Sequence, residues 1–126
     1  MCHFGGPTGI NADTPSLFEP TELEMFGNGI GVGLVLPART MIAPGMPDPD
    51  HVYAQGVVVP GDSGSGVISA DGRAVGVAVT TGVHSSSIGT SGLDIGEVGI
   101  TRLAPQLARA ASVLGTSITL VTAATL

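Results

Sequence analysis

The sequence predicts an all-β domain, an antiparallel sheet finished by one late α-helix. Three observations carry this. Glycine and proline are frequent, 20 and 9 among 126 residues, and they cut the chain into short segments. Several of those segments are rich in Val, Ile and Thr and alternate with the period of a strand. Only residues 103–114 place apolar side chains convincingly at helical spacing.

The elements follow in order. The first nine residues read as a short strand running into the turn Gly5-Gly6-Pro7-Thr8-Gly9. Residues 10–28 are polar and loop-like, broken by Pro15 and Pro20. Within them Thr21, with Glu24 three residues on, suggests the cap of a short helix over 21–26. Gly29 to Leu36 alternates Gly with Val and Leu and reads as a strand stopped by Pro37. Residues 37–50 hold four prolines together with Asp48 and Asp50, and read as an exposed loop. Strands are expected at 52–59, 67–69, 73–81 and 95–101. Asp71-Gly72 gives the second and third of these a hairpin turn, and a Gly/Ser/Thr-rich loop over 82–94 joins the last two. The helix has Pro105 in its first turn, an apolar face of Leu103, Leu107, Ala110, Ala111 and Leu114, and Gly115 as its stop. The β-branched tail, 116–122, reads as strand-like.

Composition narrows the function classes. The length fits a single domain over 1–126, and with aromatics at 3% and no Trp its core must be aliphatic. Lysine is absent, the four arginines (39, 73, 102 and 109) are dispersed, and the net charge is −6, which speaks against a nucleic-acid surface. The acidic excess reads as solubility. A single cysteine, Cys2, leaves no internal disulfide and no CxxC metal motif. His3, His51 and His84 are scattered without ligand spacing, so neither a metal nor a cofactor is expected. No run of about 18 apolar residues suggests a membrane span, and Met1-Cys2-His3-Phe4 shows no export signal. The abrupt start carries the expectation of an incomplete chain.

The chemistry concentrates in Gly61-Asp62-Ser63-Gly64-Ser65-Gly66-Val67. A serine among glycines fits a nucleophile on a tight, exposed turn, where a hydroxyl and backbone N–H groups converge on one carbonyl. The expected oxyanion donors are the N–H groups of Gly61 and Ser63.

This segment resembles the Gly-Asp-Ser-Gly motif of chymotrypsin-like serine proteases, and the likeness continues beyond it. Val67-Ile68-Ser69, the Asp71-Gly72 turn, Gly76-Val77-Ala78-Val79, Val98-Gly99-Ile100-Thr101-Arg102 and the 103–114 helix follow in the family's order. The resemblance spans about residues 52–114. Cys2 to Gly9 is similar, more weakly, to the opening strand of the second barrel in actinobacterial secreted members. Residues 10–50 and the tail 116–126 have no counterpart, and Ser65 and Gly66 stand where the family usually has Gly-Pro.

The resemblance implies the six-stranded, Greek-key, C-terminal barrel half of a chymotrypsin-type double barrel, with its C-terminal helix. It implies a serine endopeptidase acting outside the cell on a peptide or protein substrate, with Ser63 as nucleophile. It makes Asp62 a buried carboxylate paired with a cation, and Arg39, Arg102 or a group outside the chain are the alternatives. It places Val57 at the base of the substrate pocket, Val79, Thr80 and Thr81 along its wall, and Val98 beside them. An apolar floor disfavours basic substrate side chains.

The family's base and orienting aspartate come from the first barrel, and no Thr-Ala-Ala-His-Cys-like segment precedes Ser63. His51 reads as a solvated loop residue and His3 as part of a broken-off end. His84 falls near the expected cleft mouth, as a surface residue, a substrate contact or a makeshift base. Three readings remain open. The chain is a protease half, inactive or very weak until a missing barrel or second chain supplies the base. Alternatively it is an inactive β module that binds peptides or proteins. A third reading is a self-sufficient esterase using Ser63 and His84.

Overall fold

In the computed structural model, residues 7–13, 21–27, 38–43, 49–82 and 94–120 are described. Six strands and one helix follow one another: β1 (Thr21–Phe26), β2 (Ala38–Ala43), β3 (His51–Val58), β4 (Gly66–Ser69), β5 (Ala74–Gly82), β6 (Asp94–Arg102) and α1 (Leu103–Leu114). The strands close into an antiparallel barrel in the order β1-β2-β3-β6-β5-β4, and β4 returns to pair with β1.

Alternation builds the core. Leu23 and Met25 of β1, Met41 and Ala43 of β2, Val52, Ala54 and Val58 of β3, Val67 of β4, Val75 and Ala78 of β5, and Val98 and Ile100 of β6 all point inward and are buried. Among the described residues no aromatic side chain takes part, and aliphatic groups with Met25 and Met41 form the core cluster.

The short helix expected over 21–26 is a strand. Period two places Leu23 and Met25 together in the core, with Glu22 and Phe26 exposed. Pairing with β2 on one side and β4 on the other then outweighs a local capping signal. The loop expected over 37–50 contains β2. Its inward residues are Arg39, Met41 and Ala43, and an arginine in a core-facing slot hides the alternation from a hydrophobicity reading.

The expected strands 52–59, 67–69, 73–81 and 95–101 correspond to β3, β4, β5 and β6 with small boundary shifts. The strand expected at 29–36 lies outside the described residues. The start of the tail differs from expectation, since residues 117–120 form no strand. A closed barrel offers no free edge for a seventh strand. Among residues 7–9, bends replace the end of the expected opening strand, and Ile10 makes a single bridge to Ala74.

Helix α1 spans the expected residues, and Gly115 caps it by donating its N–H to Ala111 O. It packs against β5. Leu103, Leu107, Ala110 and Ala111 are half-buried, but Leu114 is exposed, so the sheltered face is shorter than the sequence pattern suggests.

Antiparallel pairing gives the barrel two distinct ends. Phe26, Ala38, Val58, Gly66, Gly82 and Asp94 terminate strands at one end, which leads into the Ser63 turn. Thr21, Ala43, His51, Ser69, Ala74 and Arg102 terminate them at the other, here called the distal end. The Asp71-Gly72 hairpin closes the distal end of β4 and β5, with Gly72 N–H donating to Ser69 O at 2.8 Å. Asp71 accepts hydrogen bonds from the Ser69 hydroxyl and from Arg73 Nε.

Two outcomes test this arrangement. Met25→Ala should destabilise the protein by about 3 kcal/mol through cavity formation, whereas Phe26→Ala, at 49% exposure, should cost under about 1 kcal/mol. Denaturant titration of both variants checks the strand register of β1. The Ser69 hydroxyl first, and Arg73 second, hold the Asp71 carboxyl below its ordinary value of 3.8. A carboxyl lowered on folding stabilises the folded chain above its unfolded pKa, and loses that contribution as pH falls through the folded value. Carboxyl-detected NMR titration should show Asp71 titrating below 3.8, with Ser69→Ala moving its midpoint upward.

Candidate functional site

The Ser63 turn is built from the end of β3 to the start of β4. Val59 is buried, Pro60 and Gly61 are exposed, Asp62 has no exposed surface, and Ser63 and Gly64 are exposed again. The chain turns its carboxylate inward and its serine outward within two residues. Gly61 and Gly64 flank that reversal with φ of 93° and 90°, a region that a Cβ disfavours.

The backbone hydrogen bonds fix the turn on both sides. Asp62 N–H donates to Val59 O at 3.2 Å and Ser65 N–H to Asp62 O at 3.0 Å. Gly64 N–H donates to Ala78 O at 2.7 Å, and Ala78 N–H to Ser65 O at 2.9 Å, so β5 holds the far side of the turn. Among the described residues, no backbone carbonyl outside the regular elements accepts the N–H of Gly61 or Ser63.

Beneath the serine lies an ion pair. Arg39 Nη1 donates to Asp62 Oδ2 and Arg39 Nη2 to Asp62 Oδ1, both at 2.6 Å. The two side chains are 3% and 0% exposed. Asp62 Oδ2 also accepts Val59 N–H at 2.9 Å, and Arg39 Nη1 reaches Val57 O at 3.5 Å. The parallel two-point contact suits a guanidinium and a carboxylate, and it ties β2 to the end of β3 and to the turn. Gly27, just after β1, completes the enclosure. A Cβ there would lie 2.5 Å from Arg39 Nη2, 2.6 Å from Asp62 Oδ1 and 2.7 Å from Ser65 Oγ.

Of the two arginines weighed as partners for Asp62, Arg39 takes the role. Arg102 is buried at the distal end, where it donates to Pro49 O and Ala12 O at 2.9 Å and to Asp13 O at 3.3 Å.

The residues expected to select substrate divide. Val57 is half-buried near the end of β3, and Val79 is 44% exposed at a bulge between Ala78 and Thr80 in the β5–β6 pairing. Thr80 and Thr81 pair with Gly99 and Val98 across that strand boundary. Val98 has no exposed surface and belongs to the barrel core, so it does not line an open pocket.

The histidines also divide. His3 and His84 lie outside the described residues. His51 is not a solvated loop residue but the first residue of β3, half-buried, with its ring 6.3 Å from that of Tyr53. Seven strand steps of about 3.3 Å separate it from Val58, so it sits roughly 23 Å from the serine end of the strand. That distance prevents it from acting as a base on Ser63. Among the described residues, no three His, Cys, Asp or Glu side chains gather as a metal site would require. Among them, too, no helix is long and apolar enough to cross a membrane.

Sequence reasoning missed a cavity of about 310 Å³ at the distal end. Among the described residues its lining comes from 11, 13, 21–23, 52, 69–71, 73 and 75, which are brought together only through barrel closure. No local motif announces it.

Removing one partner of a buried ion pair leaves the other charge stranded, so Arg39→Met should destabilise the fold by about 3–5 kcal/mol. Arg39→Lys should recover only part of this, because an ammonium cannot reproduce the two parallel contacts. Thermal or denaturant unfolding of the pair of variants checks both expectations. Compared with known proteins, the chain matches no family model and no curated protein.

Proposed function

We propose that Ser63 is the nucleophile of a serine-type endopeptidase, and that this barrel carries the acyl-forming half of its active site. The observation that supports the reading most is the reversal at Asp62-Ser63. The carboxylate is buried and held by Arg39, and the hydroxyl is exposed between two glycines of positive φ. A turn so constrained presents a hydroxyl without needing to reorganise. The neighbour order β4-β1-β2-β3 in the closed barrel supports a Greek-key reading of it.

In this proposal Ser63 Oγ attacks the carbonyl carbon of a peptide bond while a base takes its proton. The N–H groups of Gly61 and Ser63 receive the oxyanion. The amine leaves with the proton returned by the base, and water then releases the acyl group by the reverse sequence. The base comes from outside the described residues, either His84 or a second barrel or chain. Val57 and Val79 give the substrate site an apolar character that disfavours basic side chains.

A second reading, a non-catalytic β module that binds a peptide or protein, draws on the outer barrel wall. Phe26 and Val77 face the same cross-strand neighbour, Gly66, and are 49% and 39% exposed. An exposed apolar pair beside the serine turn suits a protein contact.

A fluorophosphonate probe separates the readings. The proposal expects covalent labelling at Ser63, absent in Ser63→Ala, with little peptide hydrolysis by the chain alone. His84→Ala should slow labelling about 10²–10⁴-fold if that histidine is the base, and leave it unchanged if the base comes from elsewhere. Absence of labelling at Ser63, even with the protein's natural partner present, would exclude the nucleophile and favour the binding module.

A further inference from the structure

The distal cavity has the chemistry of a ligand site unrelated to the serine. Its floor is the side-chain layer formed by Leu23, Val52 and Val75, each at most 6% exposed. Among the described residues its lining includes three acidic residues, Asp13, Glu22 and Asp71, and one basic residue, Arg73. Arg73 is already engaged. Its Nε donates to Asp71 Oδ2 at 2.6 Å and its Nη2 to Asp13 Oδ2 at 3.0 Å. Those hydrogen bonds, Asp71 before Asp13, raise the guanidinium pKa above its ordinary value, as expected for a cation satisfied from within. Among the described residues Glu22 forms no ion pair and is exposed. The described residues of the rim therefore carry a net negative charge, in a protein whose overall charge is −6.

Size gives a second constraint. A cavity of about 150 Å³ accommodates benzene, and this one is about 310 Å³, at the lower end of ordinary ligand pockets. It suits one ring with a short side arm. An anion would meet the carboxylates, and a wholly apolar ligand would leave the rim's charge without a counterpart.

We propose that the distal mouth of the barrel binds a small organic cation, an ammonium group on an apolar body, with the body on Leu23, Val52 and Val75 and the ammonium at Glu22. The mouth is at the opposite end of β1 and β4 from the serine turn, so occupancy there leaves Ser63 open.

The test is a titration of the ¹⁵N-labelled full chain followed by NMR, with 2-phenylethylammonium as the probe. The expected result is saturable shifts of the Leu23, Val52, Ala70 and Val75 amides with a Kd near ~1 mM, the range open to a ligand of this size. 2-Phenylethanol and phenylacetate should bind at least about threefold more weakly, and Glu22→Gln should weaken the ammonium by about threefold, the scale of a rim ion pair. Ala70→Phe, on the exposed turn that lines the mouth, should abolish saturation while leaving the spectrum folded. Equal affinity for the alcohol, an unaltered Kd in Glu22→Gln, or no saturable shift at these amides would overturn the proposal.

Discussion

The Arg39–Asp62 ion pair is the constraint on which the serine end of this barrel depends. A carboxylate without exposed surface is tolerable only with its charge matched and its oxygens satisfied. Here a two-point guanidinium contact and the Val59 N–H meet that demand. An apolar pair of similar volume could fill the same space at equal or lower free energy. What the ion pair adds is direction. It fixes which side of the chain turns inward at residue 62, and so which side Ser63 presents to solvent.

The rest of the architecture supports that point. Arg39 reaches Asp62 because β2 occupies a place in a closed sheet with β1 and β3 as neighbours. Gly27 leaves the space that the two charged groups occupy. On the other side, the reciprocal bonds between Gly64, Ser65 and Ala78 attach the turn to β5. The exposed serine thus stands on contacts from β2, β3 and β5, although its own turn is only a few residues long. The distal end is organised by the same logic with different groups. Buried Arg102 holds the chain at Ala12, Asp13 and Pro49, and Arg73 joins Asp13 to the β4–β5 hairpin.

Much of this was legible in the sequence where local chemistry and tertiary packing agree. The β-branched alternation of 74–81, the Asp71-Gly72 turn and the helix from Leu103 to Leu114 each carry a signal that the fold preserves. That Asp62 pairs with a buried cation was an expectation from the resemblance of Gly61-Asp62-Ser63-Gly64 to a protease motif, not from its local chemistry. The choice of Arg39 was not legible. Its strand reads as a proline-flanked loop, and only pairing with β1 and β3 reveals that its charged residue faces inward. Residues 21–26 failed for a related reason. A Thr with Glu three residues later satisfies a helix cap, yet Leu23 and Met25 gain more from a core that distant segments create. The distal cavity left no local trace, since its walls come together only on barrel closure.

Amide hydrogen exchange at Gly64 and Ser65 in the native protein tests the central claim most directly. Both N–H groups belong to an exposed-looking turn, but their acceptors are Ala78 O and Asp62 O. If the ion pair and β5 hold the turn as part of the barrel, both amides should exchange only through unfolding that also frees core amides such as Ile100, with similar protection. Exchange of Gly64 and Ser65 at rates typical of an open loop, while Ile100 stays protected, would contradict the account. It would mean that the buried pair does not order the serine above it.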